Sequence, residues 1–180
     1  MAKQVKDVYA GALFDVAQED DRIDDFWEEA QALLGVLGEN PELSEMMTHP
    51  RIGEEQKASI LEAVLKDRVS NEMFALCDTL REKGHFPELP SVLYVFMDKV
   101  KEYKRIGVVY VKTPMELSSS QKKAVEDRIL STTDFVSLEM HYSIDASLIG
   151  GMVIRIGDRV VDSSVRSKLD SLTHALSAGR

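Results

Sequence analysis

The sequence predicts an α+β protein of two domains: a six-helix bundle over residues 1–105, then a small α/β domain with a β-hairpin over residues 106–180. Three observations carry that reading. Through the first hundred residues apolar side chains recur every three or four positions, the spacing of amphipathic helices. After Gly107 the apolar period drops to about two, the spacing of strands. Gly157-Asp158 then separates two β-branched runs, as a tight hairpin turn does.

The helices follow in order. Val5, Tyr9, Ala12 with Leu13, and Val16 make the first apolar stripe, and a turn rich in aspartate follows around Asp20–Asp24. Phe26 with Trp27, Ala30, Leu33 with Leu34, and Leu37 make the second, with Gly38 as the expected stop. Asn40-Pro41-Glu42 is a start signal: an N-cap, a proline at the first helical position and an acid favoured by the helix dipole. His49-Pro50 ends that short third helix. A fourth begins after Gly53, with Ala58, Leu61, and Val64 with Leu65 inward. Ser70 or Asn71 opens the fifth, which carries Met73, Leu76 with Cys77, and Leu80, and stops at Gly84. The sixth starts near Pro87 and carries Leu89, Val92 with Leu93, Phe96, Val100 and Tyr103. Short connections between them predict a bundle.

Val108–Thr113 is β-branched and ends at Pro114, so a strand is expected there. Ser118 with Gln121 three positions on is a capping-box match, starting a helix that runs to about Leu130. Val136, Leu138, Met140 and Tyr142 alternate with Ser137, Glu139, His141 and Ser143, a strand with one buried and one wet face. Two further strands, Ile149–Ile156 and Arg159–Asp162, meet at Gly157-Asp158 in a type II′ turn. Two registers are open, Ile154 opposite Val161 or Ile156 opposite Val161. Gly150-Gly151 marks a bulge or a close backbone approach. Asp162, Ser163 and Ser164 offer caps for a last helix with Val165, Leu169, Leu172 and Leu176 inward.

Charge is lopsided. Residues 1–50 hold 12 acids and 3 bases, a net of −9, and the remainder is neutral with 19 of each. The acid is densest in Glu19–Glu29, a block that repels polyanions and argues against nucleic acid as a partner. It is either a solvated face or a surface for a basic partner. No window approaches the roughly 18 apolar residues of a membrane span, so no direct membrane insertion is expected. The first residues lack an apolar h-region and turn acidic early, which argues against a signal or transit peptide.

Catalysis finds no foothold. Gly150, Gly151 and Gly157 match neither a dinucleotide fingerprint nor a P-loop, and they precede a strand instead of entering a helix. The four histidines, His49, His85, His141 and His174, fall on separate elements without metal-ligand spacing. Cys77 is spaced as a core residue. Acid pairs such as Glu54-Glu55 sit in first turns, where the helix dipole favours them. No catalytic residue, cofactor or metal is therefore expected. An enzyme would need a bound nucleotide or metal, which titration against melting temperature would reveal.

Recognition remains. The first helix carries Val8 and Phe14 besides its stripe, and the fifth carries Phe74 beside Met73 and Leu76. Either all of these are core, or they leave a groove that accepts an amphipathic helix of another protein.

The sequence also resembles a known family along its whole length. The resemblance rests on "YAGALFDVA" (Tyr9–Ala17), "NPEL" (Asn40–Leu43), "HPRI" (His49–Ile52) followed by Lys57, and "REKGHF" (Arg81–Phe86). It is strongest in "DASLIGGMVIRIGDRVVDSSVRSKLDSL" (Asp145–Leu172), with its Gly pair, Gly-Asp and Asp-x-Ser. These segments resemble the delta subunit of F-type ATP synthases, called the oligomycin-sensitivity-conferring protein in mitochondria. His85, where the family often has Arg, and Met115-Glu116, which interrupts the usual Pro-Leu-Ser approach to the helix, depart from its pattern.

The resemblance implies a non-catalytic stator subunit of the peripheral stalk of a proton-translocating enzyme. Its helical domain would bind the N-terminal helices of alpha subunits on the catalytic head. Its smaller domain would hold the C-terminal end of the b-type stalk, so that the head resists rotor torque. The family's groove lies along the first and fifth helices, which carries over to Tyr9, Ala12, Leu13, Val16, Met73, Leu76 and Leu80. With no transit peptide, the expected setting is the cytoplasmic face of a bacterial plasma membrane. The competing reading is a freestanding helical adaptor with an unrelated target.

Overall fold

A computed structural model describes the backbone of residues 2–66 and 68–178 and the side chains of residues 5–66 and 68–171. Six α-helices come first: α1 (Ala2–Glu19), α2 (Ile23–Glu39), α3 (Pro41–Thr48), α4 (Glu54–Leu65), α5 (Asn71–Glu82) and, after a 3-10 turn at Phe86–Glu88, α6 (Leu89–Tyr103). They are followed by β1 (Ile106–Thr113), α7 (Ser119–Leu130), β2 (Ser137–Ile144), a 3-10 turn at Ala146–Leu148, β3 (Val153–Ile156), β4 (Arg159–Asp162) and α8 (Val165–Ala178). The fold is α+β, a helical region followed by a mixed sheet with helices, and the described residues hold eight α-helices, six of them ahead of β1. The chain divides into two compact units between Val100 and Lys101.

In the first unit Phe26, Phe86, Phe96, Leu61, Met73, Leu80, Leu89 and Leu93 are sealed from water and form the centre of the core. The line that α1 buries is Ala10, Leu13 and Ala17. Of the expected stripe only Leu13 belongs to it; Ala12 and Val16 are exposed and Tyr9 is half-buried. The reason is size: alanines at positions 10 and 17 let the helix approach its neighbours closely, which a stripe led by Tyr9 and Val16 would prevent. In α2 the expected line holds, with Phe26, Ala30, Leu33 and Leu37 buried, but the helix runs through Gly38 to Glu39.

Asn40 does not cap α3 with its side chain; its Nδ2 instead donates to the Val36 carbonyl (2.9 Å) and closes the end of α2, while Pro41 starts α3 as expected. At α5 the start is Ser70, whose Oγ accepts from the Met73 amide (3.3 Å). Gly84 stands at φ +70 beyond the last turn, the left-handed conformation that ends many helices.

Two buried cations escaped the apolar pattern. Lys57 on α4 and Arg81 on α5 are both nearly enclosed. Glu54 joins them, accepting from Lys57 Nζ (2.9 Å) and Arg81 Nη1 (2.9 Å), while Asp78 accepts from Arg81 Nη2 (2.7 Å). The Lys57 hydrogen bond, with help from Arg81, holds the Glu54 carboxyl below its usual range. Buried charge demands such pairing, and here it ties α4 to α5.

In the second unit the sheet order is β2-β1-β3-β4, with β1 and β2 parallel across the α7 crossover and the other pairs antiparallel. Val109, Val111 and Ile129 are its buried centre, and Val125, Leu138, Met140, Tyr142, Ile154 and Ile156 pack around them. The Ser118–Gln121 capping box forms as expected. Val136 does not join the inward line: it precedes β2 and is 72% exposed, its amide donating to the Arg105 carbonyl (2.9 Å).

The hairpin takes the register Ile154 opposite Val161. Gly157 has φ +55 and Asp158 is not among the positive-φ residues, as a type II′ turn requires. The strand leading into it is shorter than expected. Asp145 accepts from the Ser147 amide (3.0 Å) and hydroxyl (2.6 Å), winding residues 146–148 into a 3-10 turn, and Ile149 leaves that turn at φ +66. Gly151 (φ +77) is a close approach: a Cβ there would lie 2.4 Å from the Ser163 carbonyl oxygen.

The joint between hairpin and α8 is a hydrogen-bonded knot. Ser164 Oγ accepts from the Ser167 amide (3.2 Å), while Asp162 accepts from the Ser164 amide (2.8 Å) and the Ser167 hydroxyl (2.7 Å). Val165 and Leu169 do not face inward as expected, being 38% and 50% exposed. The side chains of Leu172, His174 and Leu176 lie outside the described residues.

The Ser164 amide, then the Ser167 hydroxyl, hold the Asp162 carboxyl below its usual range. A folded-state pKa below the unfolded one contributes stability that is present above the unfolded pKa and lost as pH falls through the folded value. Asp162→Asn is therefore expected to lower the melting temperature at neutral pH, and its gap to wild type to close under acid. Thermal melts from pH 7 to pH 3 read this out; a gap that stays constant across that range contradicts the assignment.

Candidate partner-binding site

A trough runs between α1 and α5, lined by Tyr9, Ala12, Leu13 and Val16 on one side and Glu72, Ala75, Leu76 and Thr79 on the other. It follows from which side each helix gives to the core. With Ala10, Leu13 and Ala17 inward, α1 leaves Tyr9, Ala12 and Val16 along the rim. With Met73, Cys77 and Leu80 inward, α5 leaves Glu72, Ala75 and Thr79 there. Small side chains at 12, 75 and 79 make the trough, and Tyr9 and Val16 form its wall. Such a surface, an apolar trough between two helices, suits a helix laid along it.

Of the residues expected at this site, Tyr9, Ala12, Leu13, Val16 and Leu76 come together in the trough. Met73 and Leu80 do not line it; both are fully buried in the core. Glu72, Ala75 and Thr79 were missed, because the apolar pattern of α5 marks its inward face while the trough is built from the small and polar residues beside that face.

A larger cavity of about 840 Å³ lies in the second unit, lined by Ile156, Arg159 and Val161 of the hairpin, Phe135, and Arg105 among others. On the other face of the sheet His141 stacks on Tyr110 (centroids 4.9 Å apart) and contacts Glu139 (2.9 Å). Lys101 donates to Glu139 (2.6 Å) and, as the larger influence, holds that carboxyl below its usual range. Cys77 sits in the core, its thiol pushed up to about 12 by burial, an inert core hydrophobe and not a nucleophile. His49 Nδ1 accepts from the Arg51 amide (3.2 Å), and His85 is exposed at the end of α5. No three metal-ligating side chains converge among the described residues.

A sequence model of the family described as "ATP synthase delta (OSCP) subunit" matches residues 5–176. The chain belongs to that family. ATP synthase subunit delta of Lachnoclostridium phytofermentans is 43% identical over 176 residues, 98% of this chain and 97% of that one. The corresponding subunit of Halalkalibacterium halodurans is 30% identical over 171 residues, covering 95% and 93%. In solved structures, a chain of the Toxoplasma gondii mitochondrial ATP synthase hexamer shares the fold, with a TM-score of 0.68 at 20% identity over 95% of this chain and 96% of that one.

As a delta-family protein the chain is a non-catalytic, peripheral-stalk subunit of an F-type ATP synthase. The trough and the hairpin-to-helix knot are thereby parts of an assembly component, and the glycines of the second unit serve geometry. The ATP synthase is a membrane-associated complex, and no helix among this chain's described residues is long and apolar enough to cross a bilayer.

Proposed function

We propose that this delta-family chain joins two specific partners. The helical domain, residues 1–105, takes the N-terminal helices of alpha subunits in the trough between α1 and α5. The smaller domain, residues 106–180, holds the C-terminal end of the b-type stalk. The chain thereby couples the catalytic head to a membrane-anchored strut at the cytoplasmic face of a bacterial plasma membrane, and resists the torque of the turning rotor.

The observation that carries this reading is the trough itself. It is apolar along its floor and bounded by Tyr9 and Val16 on α1 and by Glu72 and Thr79 on α5. A stator contact must persist under load, and an amphipathic helix buried along its length in a preformed trough meets that need through apolar area without large rearrangement. The acidic first fifty residues, net −9, add a reason for excluding nucleic acid and favouring a protein partner.

Reconstitution tests it. Head complexes freed of their delta subunit are mixed with membranes that retain the stalk, with and without the purified chain. The expected result is that the chain restores sedimentation of the heads with the membranes, and that heads trimmed of their alpha N-termini are not retained. Equal retention of trimmed heads contradicts the proposed alpha contact.

A further inference from the structure

The trough is apolar along its floor but not electrically uniform, and its two ends differ. Arg22, just beyond α1, reaches Glu72 at the start of α5 (3.8 Å), so the start of α5 lies beside the end of α1. The two helices therefore run antiparallel along the trough, with Val16 and Glu72 at one end and Tyr9 and Thr79 at the other. Beyond Val16 the same face of α1 continues one turn later to Asp20, whose amide bonds the Val16 carbonyl (3.1 Å). Glu19, Asp21 and Asp25 stand close to it in the sequence, and Arg22 is the only base from Glu19 to Asp25. That guanidinium is already engaged, 3.3 Å from Asp25 and 5.3 Å above the Phe26 ring.

The opposite end is mixed in sign. Lys83, just past the end of α5, follows Glu82, and Lys6 on α1 precedes Asp7. Apolar contact along the floor would let a docked helix slide by a turn or reverse, since small side chains at 12, 75 and 79 offer little to index against. Acid concentrated at one end removes that freedom.

From this charge complementarity we infer that the trough's occupant is an amphipathic helix carrying lysine or arginine at the end that lies over Val16, Asp20 and Glu72, and that this acidic end sets its direction and register. The inference rests on the alpha-subunit reading of the trough. The floor supplies most of the affinity, and the rim supplies orientation and salt sensitivity.

The test uses the full chain and a synthetic peptide of the alpha-subunit N-terminus from the same organism, titrated by calorimetry at low and high salt. Affinity should fall as salt rises. Asp20→Asn with Glu72→Gln should weaken binding by about two- to fivefold at low salt, as expected for partly exposed charge pairs, and should flatten the salt dependence. A photo-crosslinker beside the peptide's basic residues should capture the segment around Val16 and Glu72. Binding that ignores salt and the double variant, or crosslinks that map to Tyr9 and Thr79, overturns the charged-end inference while leaving the trough as the alpha site. Absence of peptide binding by wild-type chain with intact helical circular dichroism overturns the alpha-subunit reading, and the inference with it.

Discussion

Ala75→Trp should reduce binding of the alpha-subunit N-terminal peptide by about a hundredfold, the scale of a central interface position. Ala75 is exposed on α5 and lines the trough, so an indole there fills the space that a docked helix would occupy. Nothing in the core has to move, and the variant should melt within a degree or two of wild type. The structure also explains why a nearby substitution is a poor probe. Leu13 lines the trough but is only 5% exposed, its side chain belonging to the core. Leu13→Asp would bury an unpaired carboxylate and unfold the unit, so lost binding would say nothing about the trough. Calorimetry beside circular dichroism checks the Ala75 forecast. Peptide affinity within threefold of wild type would contradict it.

Gly151→Ala is the second large effect, and it acts on stability. At φ +77 an L side chain is strained whatever the space, and here the added Cβ would also lie 2.4 Å from the Ser163 carbonyl oxygen. That backbone cannot drift away easily: the Ser163 amide donates to Met152 (2.9 Å) and the Val165 amide to Gly150 (3.0 Å). Strain and clash together should cost the second unit about 3 kcal/mol. Gly157→Ala is the matched control: at φ +55 the strain remains, but nothing lies within 4 Å of a Cβ, so without the clash it should cost less than Gly151→Ala.

Urea titrations can place the damage. Trp27, the only tryptophan, lies in the helical unit, so its emission reports that unit, whereas circular dichroism reports the whole chain. For Gly151→Ala the dichroism should show an early transition while the Trp27 transition stays where it was. An unchanged dichroism curve would contradict the close-approach reading.

Most of the element order was legible because it depends on local rules. The capping box at Ser118, the cap at Ser70, the stop at His49-Pro50 and the turn at Gly157 are each set by neighbours within a few residues, and each stands where those rules put it. The misses share a different cause: they were decided by partners distant in sequence. Which of two adjacent lines α1 buries depends on how closely its alanines let other helices approach. Lys57 and Arg81 could be buried only because Glu54 and Asp78 meet them. Asn40 served the helix behind it instead of the one ahead. The site suffered in the same way. Apolar periodicity finds the face a helix turns inward, so it named Met73 and Leu80, while the trough is made by the adjacent Glu72, Ala75 and Thr79.

The proposal that alpha-subunit helices lie between α1 and α5 is tested most directly by mapping contact residue by residue. Uniformly 15N-labelled chain is titrated with the alpha N-terminal peptide, and amide shifts are followed by NMR. The expected perturbations concentrate on residues 9–16 of α1 and 72–79 of α5, with the amides of β1 to β4 unmoved. Shifts centred on the sheet or on α8, with the α1 and α5 amides unchanged, would contradict the account.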